Sequence, residues 1–483
     1  MRTRALCWIR RDIRLHDHAA LAAALQNHAE VYLVFVFDND ILDPLKKRAS
    51  SDKRVQFIAE SLVEIQQTLE QHQSGMIIRY GNPVVEIPEL VKKLAIDAVY
   101  FNRDYSTYPR KRDQAVTQAL SSMGCKVQTY KDHVMVEPDE VLTQNRTPYH
   151  VFTPYSRAWR HAVESGGYTT HDVVLQHLAP VSDSPAKTLS RLLAFAGFTD
   201  CENGQLPKGG TAAGRIQLHR FSSQIDHYEE TRDFPYLDQT SRLSVYIRHG
   251  CISIRDMVQL AQTASPIKEG DAFTGREKWL TELIWREFYQ MIFYHYPEVN
   301  TEAFQSKFKG LTFPTNEEYL AKWKAGETGF PIIDAAMRCL NETGWMHNRL
   351  RMVVASFLSK TLLVDWKRGE RYFSWKLLDY ELASNNGGWQ WAVGIGCDAA
   401  PYFRIFNPTL QSQKYDPDGS FIKKYCPELR TLSAKQIHNP AEAKGLPLSF
   451  RLGVDYPRPI VDYKLQRQKA LALYKNHETR PQT

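Results

Sequence analysis

Over the first 135 positions, short runs that are apolar almost throughout alternate with longer runs in which apolar residues recur at helical spacing. ALCWIR is a short strand, followed by a polar turn and the helical stretch HAALAAAL. VYLVFVFD is a second strand with no polar face. RVQFIAESLVEIQQTLEQ puts Phe57, Leu62, Ile65 and Leu69 near one helical face. GMIIRYG, AVYFNRD and KVQTYKD repeat the strand signal, with helical stretches between them. Strands that alternate with helices and lack a polar face predict a doubly wound parallel sheet, a Rossmann-like α/β domain over residues 1–135. Residues 136–215 carry turn and linker signals, among them Gly166 and Gly167, SDSP and NGQLPKGGTAAG, and are expected to connect two domains. From 216 to 483 the alternation is gone. WLTELIWREFYQMIFYHY, IIDAAMRCLNE and LRMVVASFLSKTLLVDW predict an all-α second domain.

The 483 residues, 43% of them hydrophobic, suffice for two domains with cores of their own. No apolar run is long enough to span a membrane, and MRTRALCWIRRD lacks the apolar region of a secretory signal. The seven cysteines are scattered without a CxxC pair, so reduced thiols in a cytoplasmic protein are expected, with no metal site and no disulfide scaffold. A formal charge of +7 is compatible with a polyanionic partner. The ten tryptophans lie mainly in the second half, several beside Arg, Asn or Glu, which suits either core packing or the stacking of flat ligands.

Four segments carry candidate chemistry. Glu282, Trp285, Arg286 and Tyr289 share one helical face, where an aromatic between a carboxylate and a guanidinium suits a planar ligand with polar edges; an amphipathic surface helix reads the same way. In TGWMHNRLRM, Gly344 can end one helix, while Trp345, Asn348, Arg349 and Met352 share a face of the next. In LLDYELASNNGGWQWAVGIGCDAAPYFRIFNP, the NNGG run is expected to be a turn, because two glycines weaken a helix interior. Trp389 and Trp391, two apart, point to roughly opposite sides. Thr240 to Ser244, TSRLS, suits phosphate binding at a helix N-terminus.

Taken together, WREFY, TGWMHNRLRM, NNGGWQW and DAAPYFRIFNP, with RRDIRLHDHAAL near the start, resemble the photolyase/cryptochrome family over nearly the whole chain, and within it the class I cyclobutane pyrimidine dimer photolyases. The resemblance implies an N-terminal antenna domain and a C-terminal helical domain holding FAD. It implies FAD contacts at Tyr228, Thr240, Ser241, Arg242, Leu243, Ser244, Trp279, Glu282, Arg286, Trp345, Asn348, Arg351, Asp379, Glu381 and Asn385. Arg351 and Asp379 match a charged pair over the flavin ring, and Asn385 the residue beside flavin N5. Glu381 stands where Asp is frequent. A pyrimidine dimer flipped out of ultraviolet-damaged DNA is implied to meet Glu282, Trp285, Asn348, Met352 and Trp391, with Arg232, Arg349, Arg404 and Lys414 on the DNA backbone. The implied reaction uses light and reduced FAD, FADH⁻, which lends the dimer an electron and recovers it. The resemblance also implies a monomer.

A blue-light sensor of cryptochrome type is the alternative. The dimer-pocket set is complete, and only HETRPQT follows the last helical stretch, which favours repair. A (6-4) photolyase would need pocket histidines where Asn348 and Met352 stand. A flavin oxidoreductase would need a nicotinamide site, and no G-x-G-x-x-G follows the first strand. A second, antenna chromophore is expected, deazaflavin or flavin rather than folate, because Pro109 stands where folate-binding members have a carboxylate. Arg54, Asp104 and Arg248 fall near antenna-contacting positions. Members commonly reduce resting flavin through three tryptophans. The inner one matches Trp389 and the middle one Trp366, but the outer position is Phe313, which is far harder to oxidise. Tyr372 and Trp375 are the candidate substitutes.

Overall fold

The computed structural model describes residues 3–201, 206–262 and 275–479. Five strands, β1 (Arg4–Ile9), β2 (Glu30–Asp38), β3 (Met76–Gly81), β4 (Ala98–Asn102) and β5 (Lys126–Tyr130), form one parallel sheet in the order β3-β2-β1-β4-β5. Successive β1 side chains enter separate hydrophobic cores: Ala5, Cys7 and Ile9 face one side, Leu6 and Trp8 the other. Helices Ala19–Asn27 and Lys53–Gln71 cover the first face, the latter through Phe57, Leu62, Ile65 and Leu69. Helices Pro83–Leu94 and Thr107–Ser122 cover the second through Ile87, Leu90, Val116 and Leu120. The central strands β1, β2 and β4 lack a polar face because helices cover both sides of the sheet there, while the edge strands β3 and β5 are partly exposed.

Among the described residues no strand follows Tyr130, and every later element is a helix. Among its described residues, the expected connector carries helices of its own. His177 accepts from the Val31 amide at 2.7 Å, and the helix Phe152–Gly166 docks on the helix Gly275–His295. Gly167, at φ 59, ends the former where an L-residue would be strained.

Two expectations need correction. NNGG is not a turn: it lies inside the helix Leu382–Val393. A Cβ on Gly387 would stand 2.2 Å from the Tyr289 ring, so the glycine allows two helices to approach closely, which outweighs its low helix propensity. LRMVVASFLSKTLLVDW is not one helix either. The α-helix Asn348–Ser356 passes into a π-helical turn, Phe357–Thr361, and Leu363 at φ 53 breaks the path before the helix Trp366–Lys376. Its apolar periodicity survives because both pieces pack into the same core.

Buried charges brace the α/β part against the helical part. Asp132 accepts from Arg14 Nη2 at 2.8 and 2.9 Å and from Arg255 Nη2 at 2.8 Å, while Arg255 Nε reaches Asp17 at 2.7 and 2.9 Å. Glu287 accepts from the Met135 and Val136 amides at 2.7 and 3.2 Å and from Trp159 Nε1 at 2.7 Å. Charges this deep persist only when paired and hydrogen-bonded.

Candidate functional site

Thr240–Ser244 leads into the short helix Ser244–His249. Arg242 takes φ 50; its Nε donates to Asp238 at 2.5 Å and its guanidinium lies 4.4 Å over the Trp345 ring. Ser241 Oγ accepts from the Leu243 amide at 3.3 Å, and Leu243 is buried. Tyr228 is buried beneath Arg232, 5.5 Å from its ring. Trp279 is also buried, packed 5.1 Å from Phe221.

Arg351 Nη2 donates to Asp379 at 2.8 Å, and its Nε to the Met346 carbonyl at 2.8 Å. Arg286 Nη1 donates to the His133 carbonyl at 2.8 Å, and its Nη2 stands 3.8 Å from Glu381. Burial draws the Arg286 guanidinium below its usual range, and Glu381 partly restores it. Burial alone would raise the Glu381 carboxyl; Arg11 first, then Arg248 and Arg286, carry it down to about 2. Glu381 is thus the shared partner of Arg11 and Arg286, with Arg11 Nη1 donating to it at 3.1 Å. Asn385 Nδ2 donates to the Glu370 carbonyl at 3.3 Å.

Three buried polar atoms in this set have no hydrogen-bond partner among the described residues: Thr240 Oγ1, Asp379 Oδ1 and Arg286 Nη2. Buried polar atoms are nearly always satisfied, so these are open valences for a ligand. Gly388, beside Asn385 and Trp389, borders open space. A hydroxyl, a guanidinium and a carboxylate, with aromatic rings nearby, fit a flavin nucleotide with phosphates, carbonyl oxygens and ring N–H groups.

A second group faces outward. Glu282 pairs with Arg232, Arg232 Nε lies 3.9 Å from Asp233, and Arg349 Nη2 donates to Asp233 at 2.7 Å. The Arg349 guanidinium lies 4.5 Å over the ring of Tyr415, the neighbour of Lys414. The structure therefore joins Glu282, Arg232 and Arg349 in one chain of alternating charge. Trp285 is half-buried on the helix that carries Glu282. Met352 and Trp391 are half-buried, while Asn348, Arg404 and Lys414 are exposed. Asn348 is the first residue of its helix, and His347 caps it by accepting the Arg349 amide at 3.1 Å; Trp345 lies before the helix and not on its face. Trp366 and Trp389 are buried in the core of the helical part.

Sequence reasoning missed several members. Phe152 stacks flat on Trp285, with centroids 3.7 Å apart at 3°. Asp233 bridges Arg232 and Arg349, Asp238 holds Arg242, and Arg11 holds Glu381. The run VFTPY, apolar and aromatic inside an otherwise linker-like stretch, was the one available signal for Phe152.

Residues 5–175 match the family described as DNA photolyase, and residues 279–476 that described as the FAD binding domain of DNA photolyase. The chain is 38% identical over 482 residues to the deoxyribodipyrimidine photo-lyase of Alkalihalophilus pseudofirmus, covering 98% of each. This chain belongs to the DNA photolyase family. Another photolyase, the deoxyribodipyrimidine photo-lyase of Escherichia coli, is also 38% identical, again with 98% of each chain covered. Among solved structures, a class III photolyase from Agrobacterium tumefaciens superposes with a TM-score of 0.89 at 32% identity, covering 99% of this chain and 98% of that one. An archaeal photolyase from Sulfolobus tokodaii, described as holding two FAD molecules, gives a TM-score of 0.79 at 30% identity, with 98% and 100% covered. The photolyase architecture of an N-terminal α/β part and a C-terminal helical part is the one seen here.

Proposed function

We propose that the protein is a deoxyribodipyrimidine photo-lyase, which repairs cyclobutane pyrimidine dimers in ultraviolet-damaged DNA with light. The observation that carries this reading is the outward group: a half-buried Trp285 on the same helix as Glu282, whose carboxylate is steered by Arg232 and rimmed by Arg349. Trp285 offers a ring face on which a flipped base stacks, a contact worth about 1–3 kcal/mol. Glu282 accepts from the pyrimidine edge. Arg404 and Lys414, exposed nearby in sequence, meet phosphates. Thr240 and its neighbours, Arg286, Arg351, Asp379 and Asn385 hold FAD. When bound, reduced FAD supplies the excited electron that opens the cyclobutane ring and is returned, leaving no net redox change. A second light-harvesting chromophore is part of the proposal, a flavin or deazaflavin rather than folate; absorption spectra of chromophore extracted from native protein identify it.

The test is direct. Protein loaded with reduced FAD restores thymine dimers in an oligonucleotide under near-ultraviolet or blue light and not in darkness. Intact dimers after illumination would sink the enzymatic reading and leave the sensory one standing.

A further inference from the structure

Trp285 is not a free-standing ring. Phe152 lies flat against one of its faces, 3.7 Å away between centroids and 3° from parallel. Phe288 meets Trp285 edge-on at 5.5 Å and Phe152 edge-on at 5.8 Å. Tyr289 leans on Trp285 at 5.5 Å. One face of the indole is therefore backed by a parallel ring, with further aromatic contacts at its edge.

Phe152 is itself held from two directions. It opens the helix Phe152–Gly166, and seven residues on, Trp159 donates to Glu287, two residues beyond Trp285 on its own helix. At the helix start, no local side chain caps the free amides; instead Asp398 Oδ2 accepts the Phe152 N–H at 3.0 Å. Next to it, the Cys397 thiol donates to the His150 carbonyl at 2.9 Å. Cys397 and Asp398 lie four and five residues past Val393, the end of the helix that carries Trp391. Asp398 sits at φ 47, a conformation fixed by this loop. One short path thus runs from Trp285 through Phe152 and Asp398 to the end of the Trp391 helix.

We propose that Phe152, clamped by Asp398, is a positioning residue for lesion recognition: it sets the plane of Trp285. The proposal rests on the reading of Trp285 as a lesion-stacking wall. A wall that is already flat and immobile loses little freedom on binding a pyrimidine dimer, so its backing shows as selectivity for the lesion and not as general DNA affinity.

The measurement is the ratio of affinities for a duplex with one thymine dimer and the same duplex undamaged. It is made in darkness, with FAD-loaded full-length protein at fixed salt. Phe152→Leu removes the stack and lowers that ratio about three- to tenfold, the range of a stacked aromatic pair, with undamaged affinity unchanged. Phe152→Tyr keeps the ring and restores the ratio. Near-ultraviolet circular dichroism of Phe152→Leu loses the contribution of one ordered indole, the same contribution that Trp285→Ala removes. Where Phe152→Leu fails to fold, Phe152→Met, apolar and of similar volume, is read in its place. A ratio unchanged in the Leu or Met variant, with only the melting temperature lowered, reduces Phe152 to core packing and overturns the proposal. Trp285→Ala separates the two readings. Equal loss on damaged and undamaged DNA removes the lesion wall itself. Selective loss there, without selective loss on Phe152, removes only the positioning role.

Discussion

Side chains of the outward group and its exposed surroundings are expected to behave differently according to what they meet. Trp285→Ala weakens binding to dimer-containing DNA by about 1–3 kcal/mol and leaves undamaged DNA nearly untouched, because base stacking is lost and phosphate contacts are not. Arg404→Ala and Lys414→Ala weaken both and reduce the salt slope by about one unit each. Titrations at several salt concentrations distinguish the two patterns. The light-driven reduction of resting FAD is a second residue-scale matter. Phe313 packs near Tyr474 at 6.4 Å and offers no oxidisable ring. Trp389 instead meets Trp323 at 6.2 Å, and Trp323 meets Tyr372 at 5.9 Å. Trp375 is exposed, but the Arg48 guanidinium lies 4.0 Å over its ring, and a cation there opposes removal of an electron. Tyr372, buried but in ring contact with Trp323, is therefore proposed as the substitute for the outer donor. Phe313→Trp accelerates photoreduction in transient absorption, and repair by already reduced protein is unchanged. A tryptophan radical that survives both Tyr372→Phe and Trp375→Phe excludes these donors. Glu282, Trp285 and Arg286 were legible because one helix spaces them. Phe152 and Asp233 were not, since each is defined by a partner from a distant segment.

At the scale of elements, the site depends on how closely helices approach. Gly369 and Gly387 lie in the helices Trp366–Lys376 and Leu382–Val393, and a Cβ on either would stand 2.2 Å from the rings of Trp389 and Tyr289 respectively. Gly369→Ala and Gly387→Ala are each expected to cost about 1–3 kcal/mol, since the rings must leave their rotamers to make room. Thermal melts measure this. The usual gain of alanine over glycine in a helix, about 1 kcal/mol, is too small to reverse it. The same contest explains the legibility of the elements. The strands β1, β2 and β4 were readable because burial on both faces leaves a nearly continuous apolar run, while the edge strands β3 and β5 are only partly buried. NNGG misled because local propensity argued for a turn, and the contact that overrides it lies on another helix. The π-helical turn left no mark, since it shifts the ladder of hydrogen bonds without changing which residues are apolar.

The whole molecule carries buried titratable groups whose signs set its response to pH. Burial pushes Lys360 down to about 7 from 10.5; its ammonium donates to the Arg404 carbonyl at 3.1 Å. A lysine depressed in the fold adds stability that is complete above 10.5 and lost as pH falls through about 7. His249, pushed by burial and then by Arg248 to about 3, contributes above 6.5 and loses that contribution as acid approaches 3. Glu370 runs the other way: raised by burial from 4.5 to about 7, it contributes below 4.5 and loses this as pH rises through 7. Lys360→Met is expected to flatten the rise in stability between pH 7 and 10, and Glu370→Gln the fall between about 4.5 and 7. Denaturant titrations across pH check both slopes.

The brace between the two parts of the chain has a consequence for recombination. Arg14, Asp17 and Asp132 lie in the α/β part and Arg255 in the helical part, all with nearly fully buried side chains. A crossover between related genes that replaced the first part without matching carboxylates would strand the Arg255 guanidinium in a dry interface. Stranding such a charge costs about 3–5 kcal/mol, a large share of what holds a domain together. These four residues must be inherited as a set, so the chain behaves as a single heritable unit despite its two architectures.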